Sequence, residues 1–295
     1  MDLILRDRRA VFVFIAPALA VYTLVLLAPI IWSLGYTLYS GNVLSGFKYV
    51  GLANFGKLVH DQAFWNALEF TVKYGVLVTV FQVGLGLSLA LMFVFYLRRG
   101  SALVRTLVFF PVVLPTVAVA QLFAKVFAIA PQNGLVNAAL HGVHLDRWVQ
   151  DWLGRGGTAL LVLVLMDVWR SMGFYAVLLY AGLVDISEEL LESARLDGAS
   201  GLRLVRLIVL PLLGPVLFSA LIFSINGTLK VFDSVLALTN GGPGQATTPL
   251  TLYMFNNAFS YGEYGYASAV ATALAVMCLV ITLAIFGFAR RDVTT

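Results

Sequence analysis

Residues 187–215 decide the fold and read Ser-Glu-Glu-Leu-Leu-Glu-Ser-Ala-Arg-Leu-Asp-Gly-Ala-Ser-Gly-Leu-Arg-Leu-Val-Arg-Leu-Ile-Val-Leu-Pro-Leu-Leu-Gly-Pro. Ser187 is a good helix N-cap, and the two glutamates that follow it suit the positive end of the helix dipole. Gly198 predicts the end of this helix, because glycine takes a left-handed conformation at little cost. A second helix is expected to begin near Ser200 and to continue into the apolar residues from Leu207. The pattern predicts two helices joined at a glycine elbow, and the alternative is an ordinary polar loop between two membrane spans.

The composition indicates a polytopic membrane protein. Of the 295 residues, 60% are hydrophobic and only 12% are charged, which is under half of the ~25% found in soluble domains. The mean hydropathy is +0.92 and the pI is about 9.2. This basic balance does not require nucleic acid as a partner, since the cytoplasmic arginines of a membrane protein account for it. The single cysteine, Cys278, excludes an intrachain disulfide and a cysteine metal cluster.

Six stretches are long and apolar enough to cross a bilayer, for which about 20 residues are needed. They are residues 11–38, 74–97, 106–130, 158–183, 207–231 and 264–289. The first stretch is too long for a signal-peptide core and is predicted to be retained as a span. We therefore expect an all-α fold in which residues 1–295 form one transmembrane domain with six helices. The elbow at 187–206 lies between the fourth and fifth helices.

The distribution of basic residues predicts the orientation. One set of segments carries Arg6, Arg8, Arg9, Arg98, Arg99, Arg105, Arg195, Arg203, Arg206, Arg290 and Arg291. The opposite loops carry Lys48, Lys57, Arg147 and Arg155, with Lys73 at a span edge. The positive-inside rule then places both termini and the elbow in the cytoplasm.

The elbow resembles the "EAA" loop of the membrane subunits of bacterial ABC importers. The resemblance rests on residues 192–194 (Glu-Ser-Ala), residues 197–199 (Asp-Gly-Ala), Ile208 and the pair Leu210-Pro211. In that family the elbow is a coupling helix that docks into a groove on a cytoplasmic ATPase. The resemblance therefore implies an ATPase-coupling role for Glu192, Ser193, Ala194, Asp197, Gly198 and Ala199. Ser193 stands where the family usually has alanine, and Val205 stands where phenylalanine is common.

The external loops narrow this resemblance to carbohydrate importers. Residues 49–55 and 64–68 look like the first external loop of sugar-importer permeases, and residues 134–137 and 239–244 are similar to further landmarks of that group. The resemblance implies the first permease of a pair, of the maltose or glycerol-3-phosphate type, in the bacterial inner membrane. It also implies four partners besides the lipid bilayer: a second homologous permease, a dimer of cytoplasmic ATPase subunits, an external solute-binding protein and a sugar substrate.

The chain is not expected to be an enzyme. It lacks a Gly-x-x-x-x-Gly-Lys-Ser/Thr phosphate loop, so we expect no cofactor on this chain, with ATP and magnesium bound by the partner ATPase. A membrane-embedded enzyme would need a convergent set of catalytic groups or metal ligands, whereas the spans carry only scattered charges. An ATPase-independent transporter would be expected to show more than six spans or clear inverted repeats.

Polar groups inside the spans are costly there and are therefore candidates for the substrate pathway. Asp167 and Arg170 are three residues apart, so a structural ion pair is the alternative to a substrate role. The resemblance places Trp169 at a position that lines the sugar site, where an aromatic face suits a sugar ring. Gln121 and Lys125, four residues apart, form a further candidate pair.

Three candidates on the fifth span recur at helical spacing. Asn226, Lys230 and Asp233 are predicted to lie on one helical face. Lys230 stands where, by the resemblance, a maltose permease has an asparagine that contacts sugar. Its alternatives are snorkelling to the outer interface or pairing with Asp233.

The charges within the predicted spans leave one cation in excess, because Lys125, Arg170 and Lys230 stand against Asp167 and Asp233. An excess cation would suit a glycerol phosphate or glycerophosphodiester. We nevertheless predict a neutral di- or oligosaccharide, moved by ATP-driven alternating access.

Overall fold

The structure, a computed structural model, describes residues 8–42, 44–97, 99–129 and 132–293. It confirms the predicted fold class, because helices dominate and the only sheet within these residues has two short strands. Five of the described helices are long and apolar enough to cross a membrane, or six if one bent pair counts as a single span. Arg6, Arg98 and Ala130, which the predictions above include, lie outside the described residues.

The helices and strands follow one another in a simple order. The first are α1 (Arg8–Tyr22), a π-helical turn (Thr23–Leu27), α2 (Ala28–Tyr36), β1 (Tyr39–Asn42), β2 (Gly46–Tyr49) and α3 (Ala53–His60). Next come α4 (Gln62–Phe95), α5 (Ser101–Val113), α6 (Thr116–Val126), α7 (Leu135–Gly142), a 3-10 turn (Asp146–Trp148) and α8 (Gly156–Val184). The elbow contains α9 (Glu188–Leu196), α10 (Gly201–Leu204) and a second π-helical turn (Val205–Val209). The remainder consists of α11 (Leu210–Leu229), α12 (Asp233–Leu238), α13 (Leu250–Phe255), a third π-helical turn (Asn256–Ser260) and α14 (Tyr264–Val293).

The chain divides into two compact units. The first unit comprises Met1–Phe64 and Tyr253–Ala273, and the second comprises Trp65–Leu252 and Leu274–Thr295. In the first unit the strands pair antiparallel, with Tyr39 opposite Tyr49. The buried Asn54 donates hydrogen bonds to the backbone oxygens of Thr37 and Tyr39, at 2.8 and 2.9 Å. These bonds fix the start of α3 against the residues that lead into the hairpin.

Helix α8 is the centre of the second unit. Half of the most apolar stretch of this helix is buried, and the helix packs against α5, α6, α11 and α12. Two glycines allow neighbouring helices to approach α8 closely. A Cβ at Gly173 of α8 would lie 2.2 Å from the Val108 oxygen of α5, and a Cβ at Gly86 of α4 would lie 2.7 Å from the Cβ of Tyr175 in α8. Small residues at such crossings allow helices to pack closely in a membrane, where lipid tails remove the hydrophobic drive for association.

The third predicted span, residues 106–130, corresponds to two helices that are bent by 96°. Helix α5 ends at Val113, and Leu114 adopts an extended conformation with φ −71° and ψ 138°. Pro115 accounts for the bend, because its ring disfavours a helical conformation at the preceding residue. The hydropathy pattern does not show this break, since the sequence stays apolar on both sides of it.

Residues 134–137, one of the external landmarks, have a structural part in the second unit. The buried Asn137 side chain donates to the backbone oxygens of Ala128 and Gln150, at 3.1 and 3.0 Å, and accepts from the Trp152 indole at 2.9 Å. A Cβ at Gly134 would lie 2.3 Å from the Lys125 oxygen. The landmark therefore closes the loop that follows α6.

A carboxylate outside the membrane spans connects two parts of the first unit. Asp61 accepts hydrogen bonds from the hydroxyls of Tyr253 and Tyr266. Burial opposes ionisation of Asp61, but these bonds and that from the Ala63 backbone N–H outweigh it and lower its pKa below the ordinary value of 3.8. Burial and the bond to Asp61 raise the pKa of Tyr253 to about 12, so this hydroxyl keeps its proton and remains a donor.

We expect Asp61→Asn to destabilise the protein at neutral pH by about 1.5–3 kcal/mol, the range for hydrogen bonds to charged groups. A lowered pKa in the folded state stabilises the fold above the unfolded value, and this contribution is lost as the pH falls through the folded value. The difference in melting temperature between wild type and variant should therefore be constant from pH 5 to 8 and shrink below about pH 4. Asp185→Asn, at an exposed carboxylate, is the control, and a difference for Asp61→Asn that stays constant down to pH 3 would contradict the assignment.

Candidate functional site

A cavity of about 260 Å³ lies in the second unit, among the membrane-spanning helices. It is bordered by α4, α8, the end of α11 and the segment that leads into α12. Its lining residues are mostly polar or aromatic: Tyr74, Val78, Gln82, Thr116, Asp167, Arg170, Ser171, Tyr175, Ser224, Gly227, Thr228, Lys230, Val231, Phe232, Asp233 and Ser234. The lining offers both hydrogen-bond donors and acceptors within otherwise apolar spans.

The Asp167 carboxylate is the best-connected group of this cavity. It is 5% exposed and accepts hydrogen bonds from the Tyr74 hydroxyl of α4 and from Ser234 Oγ of α12, the latter at 2.9 Å. Arg170 Nε lies 3.4 Å from Asp167 Oδ1. The predicted pair of Asp167 and Arg170 is therefore present, but the carboxylate also joins three helices.

A second polar network lies on the same helices. Gln82 of α4 accepts a hydrogen bond from Ser171 of α8 and donates one to Ser224 of α11, both at 2.5 Å. Ser224 in turn donates to Thr79 Oγ1 at 2.7 Å. Among the described residues, every fully buried side-chain nitrogen or oxygen has a hydrogen-bond partner, as hydrocarbon surroundings require.

Lys230 and Asp233 reach the cavity through a break in the predicted fifth span. Helix α11 ends at Leu229, Lys230 has φ −102° and ψ 20°, and α12 begins at Asp233. Both side chains are exposed, and neither belongs to an ion pair in the described part of the chain. The predicted alternative of a Lys230–Asp233 pair is therefore not present.

Asn226 and Asp233 do not lie on one continuous helical face, because the helix does not continue through residues 230–232. Its side chain donates to Thr282 Oγ1 of α14 and to the Ile222 oxygen, both at 3.0 Å. The prediction of one continuous face assumed an unbroken helix and is wrong for this reason.

Three further predicted pathway residues lie away from the cavity lining as far as the structure describes it. Trp169 is partly buried and packs on Phe123 of α6, with ring centroids 5.8 Å apart. Gln121 and Lys125 are exposed on α6, and Gln121 donates to the Ala237 oxygen of α12 at 3.4 Å. A substrate role of these residues stays a prediction.

The sequence analysis missed several polar cavity residues, namely Tyr74, Gln82, Ser171, Ser224 and Ser234. Gln82 carried a usable signal, because a glutamine within an otherwise uncharged span needs a partner in the protein. Serines and threonines gave no comparable signal, since they are common in membrane helices and bond to their own backbone.

The elbow has the predicted helix–glycine–helix form. Ser187 Oγ accepts a hydrogen bond from the Leu190 backbone N–H at 3.4 Å. At the other end of α9, the N–H of Gly198 bonds the Arg195 oxygen at 3.0 Å and that of Ala199 bonds the Ala194 oxygen at 2.9 Å. With φ +86° at Gly198, this is a Schellman motif, which satisfies the last carbonyls of a helix.

The two sides of the elbow differ in exposure. Leu191 and Ala194 are buried in the core shared with α8 and α11, and Ala199 packs against that core. Glu192, Ser193, Asp197 and Gly198 are exposed. Leu196 and Leu202 are also exposed, at 89% and 87%. The elbow thus combines an anchored side with a free side that carries carboxylates and leucines.

Comparison with known sequences identifies the family. Residues 82–291 match the family described as "Binding-protein-dependent transport system inner membrane component". This match includes the elbow and most of the cavity and covers more than half of the chain. The protein therefore belongs to this family of multi-pass membrane components, which confirms the resemblance seen in the elbow.

Individual relatives place the chain more narrowly. It is 35% identical over 274 residues to the probable ABC transporter permease protein YurN of Bacillus subtilis, covering 92% of this chain and 93% of the relative. It is 33% identical over 290 residues to the trehalose/maltose transport system permease protein MalF of Thermococcus litoralis, covering 97% and 96%. The fold is similar to a chain of the bacterial alginate ABC transporter crystallised with an alginate pentasaccharide-bound periplasmic protein, with a TM-score of 0.85, 24% identity and coverage of 98% and 96%.

We expect Gly198→Val to reduce transport by at least tenfold, because a β-branched residue is strained at φ +86°. Gly198→Asn is the matched control, since asparagine tolerates the left-handed region and should keep most of the activity. Transport into membrane vesicles, normalised to the amount of assembled complex, is the measurement. Equal activity of the valine and asparagine variants would show that the left-handed turn is not needed.

Proposed function

We propose that this chain is the permease subunit of a binding-protein-dependent ABC importer that moves a di- or oligosaccharide across the bacterial cytoplasmic membrane. The observation that carries this proposal is the polar cavity within the spans. Its lining has hydroxyl, amide and charged groups, which suit the many hydroxyls of a sugar. Its aromatic residues Tyr74, Tyr175 and Phe232 offer apolar surface of the kind on which sugar rings pack.

The charge of the lining favours a neutral substrate. Arg170 and Lys230 stand against Asp167 and Asp233, so the formal charges of the lining residues sum to zero. In the sequence, Lys125 was the third cation against two carboxylates within the predicted spans. In the structure it is exposed on α6 and does not belong to the described lining. The argument for a phosphate ester therefore loses its main support. The trehalose/maltose permease among the relatives agrees with a neutral sugar.

A second, homologous permease would complete the substrate site. Ligand pockets typically measure about 300–1,000 Å³, and the cavity in this chain alone has about 260 Å³. A site shared between two permeases would hold an oligosaccharide more fully. An external solute-binding protein would deliver the sugar, in keeping with the family description.

The free side of the elbow is the proposed contact for a dimer of cytoplasmic ATPase subunits, which would bind the ATP and magnesium. Leu196 and Leu202 would enter an apolar groove, and Glu192 would face a basic residue of the ATPase. This arrangement requires that the elbow and both termini lie in the cytoplasm, as the arginine distribution predicts. Closure of the ATPase dimer would then move the elbow and switch the cavity between the two sides of the membrane.

We expect ATP hydrolysis by the reconstituted importer, with its binding protein, to be stimulated several-fold by a neutral sugar. The panel contains maltose, trehalose, raffinose, sn-glycerol 3-phosphate and a glycerophosphodiester. The importer for this assay is obtained by purifying this chain together with the second permease and the ATPase that bind to it. Stimulation by the phosphate esters alone would overturn the proposed substrate class, and sugar transport without an ATPase would overturn the importer assignment.

A comparison of two lysines tests the boundary of the cavity. We expect Lys230→Met to raise the KM for the stimulating sugar about ten- to a hundredfold, because the loss of a charged hydrogen-bond donor costs roughly 1.5–3 kcal/mol. Lys125→Met should leave the KM near the wild-type value, since Lys125 lies away from the described lining. A rise of similar size in both variants would instead support the sequence-based prediction that Lys125 belongs to the pathway.

A further inference from the structure

The break between α11 and α12 brings the exposed Lys230 and Asp233 to the cavity. Its backbone hydrogen bonds reach only the adjoining turns, from the Val231 N–H to the Thr228 oxygen and from the Leu236 N–H to the Phe232 oxygen. Residues 230–232 are outside both helices. Two side chains fix the segment to the rest of the second unit: Ser234 donates to the Asp167 carboxylate at 2.9 Å, and Thr251 donates to the Val231 oxygen. The position of the cavity cation and carboxylate therefore depends on bonds made by neighbouring residues.

We propose that Asp167 is a positioning residue that holds the segment 230–234 against α8 through Ser234. The substrate part of this inference rests on the proposed function. Asp167 acts through Lys230 and Asp233, which contact the substrate, and does not itself contact it. The exposed fraction of Asp167, 5%, agrees with a residue that positions its neighbours and does not touch the substrate.

The Asp167 carboxylate makes a closer contact with the neighbouring α12 than with Arg170 of its own helix. Arg170 approaches it with a single nitrogen at 3.4 Å, close to the upper limit of a hydrogen bond and without the two-pronged arrangement of a strong arginine–carboxylate pair. The contact from Ser234 is shorter, at 2.9 Å, and the Tyr74 hydroxyl also donates to the carboxylate. A simple ion pair within α8 would need neither of these donors.

The hydrogen-bond network around Gln82 explains why loss of the Ser234–Asp167 bond should displace α12 and not α11. Gln82, Ser171 and Ser224 connect α4 and α8 to α11, whereas Asp167 connects the same two helices to α12. Because α11 and α12 are separate helices, loss of the Ser234 bond leaves the α11 connection in place. Residues 230–232 and the first turn of α12 should then shift relative to α8, while α4, α8 and α11 stay packed.

The first test measures the position of the segment without a substrate. Asp233→Cys is introduced together with Cys278→Ser, and its reaction rate with a charged methanethiosulfonate reagent is measured in the purified importer. We expect Asp167→Asn and Ser234→Ala each to change this rate at least threefold. Ser219→Ala is the matched control, because this exposed serine bonds only the Pro215 oxygen of its own helix in the described structure.

A double-mutant cycle makes the test specific. Since Asp167→Asn and Ser234→Ala weaken the same bond, the double variant should change the rate less than the product of the single effects. Ser234→Ala also keeps the proposal testable if Asp167→Asn fails to assemble, because it leaves the carboxylate with its other two donors. Rates equal to that of the Ser219→Ala control, or independent effects of the two substitutions, would overturn the proposal.

The second test uses ATP hydrolysis stimulated by whichever sugar of the panel activates the wild-type importer. We expect Ser234→Ala to raise the KM five- to tenfold and to change kcat less than twofold, because the site is displaced while the coupling elbow is intact. A fall in kcat at an unchanged KM would contradict the positioning role of Asp167 but not the proposed importer function. If no panel sugar stimulates the wild type, the proposed function fails, and the cysteine reaction rates still decide whether Asp167 holds the segment.

Discussion

A buried carboxyl group within a membrane span is costly unless hydrogen-bond partners surround it, and the cavity of this protein is arranged around one such group, Asp167. Asp167 receives hydrogen bonds from α4, from α12 and from the next turn of its own helix. Each donor satisfies the carboxyl group and at the same time fixes the helix that carries the donor. The requirement to satisfy one buried group thus sets the mutual position of three helices.

A break between two helices adds to the polar lining of the cavity. Continuous apolar helices would offer lipid-like surfaces, whereas backbone that leaves a helix inside a membrane protein is tolerated where it lines a cavity. The segment 230–232 does this between α11 and α12. The bend at Pro115 places α6 in contact with both α8 and α12, so that the two interruptions lie in neighbouring parts of the second unit.

The elbow explains why its sequence pattern combines small and charged residues. Ala194 and Ala199 are small because they pack into the core with α8 and α11, and Gly198 provides the left-handed residue of the Schellman motif. Glu192 and Asp197 are exposed, so that packing within the described structure does not require their charges. The pattern therefore combines residues needed for the turn with residues available to a partner.

The sequence by itself determined the membrane class, the positions of the apolar stretches and the form of the elbow. These features depend on average hydropathy or on residues within one or two turns of each other, such as Ser187 with Leu190 and Gly198 with Arg195. The family motifs added the importer class. The tertiary structure decided which polar residues share the cavity, because Tyr74, Gln82, Asp167 and Ser234 meet only after distant helices pack. It also left Asn226 out of the described cavity lining, which includes Lys230 and Asp233, since Asn226 bonds Thr282 of α14 and the helix breaks before Asp233. Periodicity describes one continuous helix, whereas part of the cavity lining comes from residues 230–232, where α11 has ended.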